Sequence, residues 1–217
     1  MPHSQKVSSF DPTSITPKVL IVSCTADISY VDHLHKQYFN SIASPQRAID
    51  FMEFLHPGAF PVDESLDAIV EVMARFAIPE IAIISHIDCG LVDALAKFSQ
   101  IDQIDPYLFN GYAKAVTKML KEFSIGPSQI ADLKVGQVTT LLSNLVAIRV
   151  AKHLHLLSQS AKQELGLGNP RDKDNCERLS NLSECNITPF SFLGVEKGLV
   201  ENYPRFKPRQ WKETILL

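Results

Sequence analysis

Glu80-Ile-Ala-Ile-Ile-Ser-His86-Ile-Asp-Cys89-Gly90 is the stretch that decides the fold. Its first six residues form an apolar, β-branched run without alternation, the pattern of a strand buried on both faces of a parallel sheet. The run leads directly into a His-x-x-Cys-Gly sequence, and a helix is expected to begin near Gly90 and carry Leu91, Leu95 and Phe98. Upstream, Leu66, Ile69, Val70, Met73 and Phe76 recur at helical spacing behind Asp63 and Glu64, predicting a helix over Ser65 to Ala77 that Pro79 ends.

Working outward, Lys18-Val-Leu-Ile-Val-Ser-Cys24 is a second buried-strand signature, and Phe51-Met-Glu-Phe-Leu55 reads as a short strand stopped by His56-Pro57-Gly58. Towards the carboxyl end, residues 108–123 and 137–157 carry helical periodicity, the latter through Val138, Leu141, Leu142, Leu145, Ile148 and Leu156. The segment 158–186 is richer in Asn, Ser, Gly and charge and reads as an exposed loop or insertion. A strand then follows over Ile187 to Val195, with a hairpin-like turn at Glu196-Lys-Gly198 into Leu199 and Val200. Strands alternating with helices imply an α/β fold with a mainly parallel central sheet flanked by helices.

Composition narrows the function classes. The chain has 217 residues, 45% hydrophobic and 21% charged, enough for one substantial core. A net charge of -3 and no local run of Lys or Arg argue against nucleic acid as a partner. No stretch of about 18 apolar residues suggests a membrane span, and Met1 to Pro17 lack the charged start and apolar centre of a secretory signal. Four unevenly spaced cysteines are too few for a disulfide scaffold and point to reduced thiols or a metal site, hence to the cytoplasm.

The chemistry gathers at strand ends. In open parallel sheets ligands collect outside the carboxyl edge, where both Cys24 and His86 fall. Thiolate sulfur and imidazole nitrogen are good zinc donors, and a His with a Cys three residues later across a strand-to-helix turn can place both on one ion, with Cys24 as a third. Three protein ligands leave a fourth position open, which distinguishes a catalytic zinc from a structural one. On spacing alone the same residues also read as core, because a buried Cys is usually a small hydrophobe and a lone His a structural residue. Asp88 reads as a helix cap. His33, His35, His153 and His155 read as surface histidines, and Cys176 and Cys185 as accessory thiols.

From Lys18 to about Val200 the chain resembles the β-carbonic anhydrase family. Val-Leu-Ile-Val-Ser-Cys24 is similar to its first zinc-ligand strand and Ser-His86-Ile-Asp-Cys89-Gly90 to its His-x-x-Cys-Gly motif. Phe190-Ser-Phe-Leu-Gly-Val-Glu-Lys-Gly198 looks like its closing strand and turn. The resemblance implies a β-carbonic anhydrase-like domain at 18–202 between an N-terminal arm (1–17) and a C-terminal arm (203–217). It further implies a Zn2+ ion on Cys24, His86 and Cys89, and reversible hydration of carbon dioxide to bicarbonate by a zinc-bound hydroxide in a homodimer or higher oligomer. The family also carries an Asp two residues after its first Cys and an Arg two beyond that, where this chain has Ala26 and Ile28. Two residues are left as candidates for catalytic roles: Asp27, one position out of register, and His56, which stands where the family has an Arg. His56 reads as a polar substitute or proton shuttle on one view, and as a solvent-exposed turn histidine on the other. The missing Asp and Arg leave open a non-catalytic zinc-binding relative, or a hydrolase of a small linear molecule such as carbon disulfide. In Tyr203-Pro-Arg-Phe-Lys-Pro-Arg-Gln-Trp211, Phe206 and Trp211 offer area for packing on a second subunit.

Overall fold

The computed structural model describes residues 17–24, 51–56, 59–87, 89–90, 92, 118–168, 170, 172–194 and 197–214. Among the described residues, five strands form one sheet in the order β2-β1-β3-β4-β5. They are β1 (Val19–Cys24), β2 (Phe51–His56), β3 (Glu80–His86), β4 (Asn186–Phe192) and β5 (Leu199–Glu201). The first four are mutually parallel and β5 returns antiparallel to β4. β1 is buried along its whole length and β3 from Ile81 onward, as expected of strands covered on both faces.

The register sorts one sheet face into rows. Met52, Leu20, Ile81 and Ile187 lie level across four strands, followed by Phe54, Val22, Ile83 and Pro189. Helices α1 (Asp63–Phe76) and α3 (Val135–Gly166), the latter preceded by the short α2 (Pro127–Ala131), cover this face, with Leu66, Ile69, Met73, Val138, Leu142 and Val146 in the same core. Burying a Leu, Ile or Met side chain contributes about 1.5–3 kcal/mol, so this apolar layer is the main source of stability. Val19, Ile21, Ala82, Ile84, Phe190 and Phe192 form a smaller core on the opposite face.

Helix α1 starts two residues earlier than the apolar spacing indicates. Asp63 and Glu64 lie within its first turn, where the helix dipole favours acid, and Ala77 closes the helix in the left-handed region at φ 49°. The larger correction concerns 158–186, which is helical over most of its length. α3 runs on to Gly166, with Ser158 and Ala161 buried on its continuing face and the Ser158 hydroxyl donating to the Ser180 carbonyl at 2.7 Å. α4 (Lys173–Ser180) follows, its amino end capped by Asp172 Oδ1 accepting from Asn175 N at 3.0 Å, and a 3-10 turn over Asn181–Glu184 leads into β4. β4 ends at Phe192 rather than Val195.

The segment after Asn202 packs on its own chain. Phe206 is buried and exchanges backbone hydrogen bonds with Ile187 at 2.8 and 3.0 Å, continuing the sheet beyond β5. The short helix α5 (Trp211–Thr214) packs on α3, with Lys152 over the Trp211 ring at 5.3 Å. The area that Phe206 offers is therefore used within the chain, while Trp211, packed on α3, is half-buried. The proposed N-terminal arm lies outside the described residues apart from Pro17, and the helix expected over 108–123 is described only from Lys118 onward.

Candidate metal centre

The third row of the α1/α3 face is where the core turns polar: His56, Cys24, Ser85 and Ser191 follow the two apolar rows at the carboxyl edge of the sheet. Cys24 pairs with His56 and Ser85 with Ser191, and the β1–β3 register carried on from Val22–Ile83 puts Cys24 level with Ser85. His86 is the last residue of β3, level with Phe192. The Ile87 amide donates to the Phe192 carbonyl at 3.2 Å, prolonging the pairing by one residue before the chain turns towards Cys89 and the helical Gly90.

This arrangement brings three expected donors together. One donor atom each from Cys24, His86 and Cys89 lies within 4.8 Å of the others, and all three residues are 2–4% exposed. The Cys24 and Cys89 sulfurs are 3.8 Å apart. Tetrahedral zinc with bonds of about 2.3 Å to sulfur requires a sulfur–sulfur distance of about 3.8 Å, so the pair already has the spacing of two thiolates on one ion. A buried group of two soft sulfurs and one imidazole suits zinc and disfavours magnesium or calcium, which prefer oxygen. The residues present fit such an ion.

His56 is not a turn residue. It closes β2, is half-buried beside Cys24, and stacks on Phe54 with ring centroids 5.1 Å apart. Its Nε2 is buried and has no hydrogen-bond partner among the described residues, and burial lowers its pKa, so the ring is neutral near pH 7. Asp27, Asp88, His33 and His35 lie outside the described residues. His153 and His155 sit half-buried on α3, away from the centre, with His153 Nε2 at 3.2 Å from Asp67 Oδ1. Cys176 and Cys185 are buried rather than exposed on a loop, and burial pushes the Cys185 thiol up to about 12.

Sequence reasoning missed Ser85 and Ser191. The signal was present, since Ser85 breaks an apolar run one residue before His86. Its level placement with Cys24 requires the strand register, which no local pattern reveals.

No protein-family model and no curated protein sequence matches the chain. Comparison with solved structures finds a β-carbonic anhydrase of the fungal pathogen Aspergillus fumigatus at TM-score 0.57 and 13% identity, covering 92% of this chain and 82% of that one. The tetrameric β-carbonic anhydrases of the filamentous ascomycete Sordaria macrospora match at TM-score 0.53 and 13% identity, covering 88% and 83%. The Coccomyxa β-carbonic anhydrase in complex with acetazolamide matches at TM-score 0.52 and 11% identity, covering 88% and 74%. The chain therefore has the β-carbonic anhydrase fold, at sequence identities where fold alone is shared.

Proposed function

We propose that Cys24, His86 and Cys89 hold a zinc ion and that the chain catalyses the reversible hydration of carbon dioxide to bicarbonate and a proton. The observation that carries this is the 3.8 Å separation of the Cys24 and Cys89 sulfurs, with an imidazole of the same buried group within 4.8 Å. When bound, zinc supplies Lewis acidity, lowering the pKa of water held at its open position so that a nucleophile exists near neutral pH.

The chain's own residues account for the rest. The sheet edge fixes the donors on β1 and β3, and the cores beneath them exclude bulk water from the sulfurs. His56 is the proton acceptor in this reading, because its Nε2 is uncommitted among the described residues and its ring is neutral at the working pH. Asp27 is the carboxylate we assign to orienting the attacking water, in place of the acid that Ala26 lacks. Thiol donors suit a reducing, cytoplasmic setting, and no helix among the described residues is long and apolar enough to cross a membrane. The working form is a homodimer or larger: β2 is an edge strand among the described residues and leaves Phe51 and Leu55 each 36% exposed, and the Sordaria proteins are tetrameric.

One observation favours a second reading. Ala26 and Ile28 replace the Asp and Arg of the family pattern, which fits a zinc protein that binds without catalysing. Stopped-flow carbon dioxide hydration from pH 7 to 9, on protein of measured zinc content with Cys89→Ser as control, separates the two. Turnover that follows zinc and is lost in Cys89→Ser supports the enzyme. Zinc-loaded protein inactive on carbon dioxide but active on carbon disulfide or carbonyl sulfide identifies a hydrolase, and inactivity on all three leaves the binding protein.

A further inference from the structure

Ser85, like His56 in the same row, carries a buried polar atom without a partner among the described residues. It is 1% exposed, and its Oγ has no hydrogen-bond partner among the described residues. An unsatisfied buried hydroxyl is costly, and a serine side chain reaches only its immediate neighbours. On one side stands Ser191, whose Oγ already accepts from Asn202 Nδ2 at 2.8 Å and lies 3.4 Å from Thr140 Oγ1. On the other side runs β1, whose pairing with β3 is recorded as far as Val22–Ile83; the same register carried two residues further brings Cys24 level with Ser85.

We infer that Ser85 is a positioning residue for the metal centre, its hydroxyl turning about χ1 to donate a hydrogen bond to the Cys24 thiolate once a metal ion binds. The inference rests on the metal-site reading above. A neutral thiol is a weak acceptor, which leaves the serine idle. Metal binding deprotonates the cysteine, and the resulting thiolate accepts a charge-assisted bond roughly twice as strong as a neutral one. The bond withdraws electron density from Cys24 and holds its sulfur at the carboxyl edge, and outer partners of this kind commonly alter metal affinity by about tenfold or more.

The chain contains its own control. Thr188 Oγ1 is also buried without a partner among the described residues, but Thr188 is level with Ala82 and belongs to the opposite face of the sheet. The experiment is cobalt(II) titration of the purified protein, read by the thiolate-to-cobalt charge-transfer absorption. Wild type should show that absorption. Ser85→Ala should move it to longer wavelength and weaken cobalt binding about tenfold. Ser85→Thr, which keeps a hydroxyl, should restore both, and Thr188→Ala should leave both unchanged.

A Ser85→Ala spectrum identical to wild type overturns the inference while leaving the metal site standing, and an equal shift in Thr188→Ala overturns it in favour of a general packing effect. Wild-type protein that binds cobalt without any thiolate charge transfer, or does not bind it, overturns the metal site and this inference together.

Discussion

The Cys24 sulfur stands 3.8 Å from the Cys89 sulfur across 65 residues of sequence. Two thiolates so close repel one another unless a cation or a proton sits between them, so the same geometry that suits zinc destabilises the empty, ionised pair. Zinc at a hundredfold excess over its dissociation constant should raise the unfolding free energy by about 2.7 kcal/mol. Thermal unfolding before and after chelation checks this. Cys24→Ser and Cys89→Ser should both abolish the difference, since each removes one of three donors.

His56 carries a prediction for acid. Burial lowers its pKa from 6.5, so the unfolded chain takes up a proton on this residue at higher pH than the folded chain does. Stability contributed by the neutral ring is complete above 6.5 and declines as pH falls from 6.5 through the lowered folded value. Denaturant unfolding of metal-free protein at pH 7.5 and at about pH 5 should show that loss, and His56→Gln should reduce it. A loss of the same size in His56→Gln would exclude His56 as its source.

How much of this was legible in the sequence differs by element. Val19–Cys24 and Glu80–His86 announce themselves because a strand buried on both faces needs apolar residues in sequence, whatever its neighbours. The donor triad followed from them, because parallel strands in one sheet bring their carboxyl ends together. α4 did not announce itself: in Lys173–Ser180 only Cys176 is buried, and the helix is sustained by contact with α3 and by the Asp172 cap. The neighbourhood of Cys24 was equally hidden, since His56 is placed beside it by register and not by spacing.

Cys185 governs the alkaline side. Burial raises its thiol from 9.0 to about 12, so above 9 the unfolded chain loses a proton that the folded chain retains. The stability this thiol confers is complete below 9.0 and is lost as pH climbs through about 12. The slope is at most about 1.4 kcal/mol per pH unit. Cys185→Ala should flatten urea-derived stability between these limits, and Cys185 should resist alkylation at pH 8 in folded protein while reacting after denaturation. Rapid alkylation of native Cys185 would show that its burial is not maintained in solution.

Phe206 tests whether the C-terminal segment belongs to the core. Its ring is 4% exposed, packs edge-on against Tyr203 with centroids 5.9 Å apart, and is held by paired backbone hydrogen bonds to Ile187. Lys207 and Arg209 flank it with ion pairs to Glu184 at 2.8 and 3.5 Å, whose carboxyl lies below its ordinary pKa chiefly through the Lys207 hydrogen bond. These pairs are solvated and contribute little beside the buried ring. Phe206→Ala should cost about 3–5 kcal/mol by removing a large side chain from a closed core, whereas Lys207→Ala should cost less than about 1 kcal/mol. Because Ile187 is the second residue of β4, whose far end pairs with His86, loosening at Phe206 should lower zinc retention at moderate denaturant as well as the unfolding midpoint. A Phe206→Ala protein of wild-type stability whose oligomer nevertheless dissociates would instead place this segment at a subunit contact.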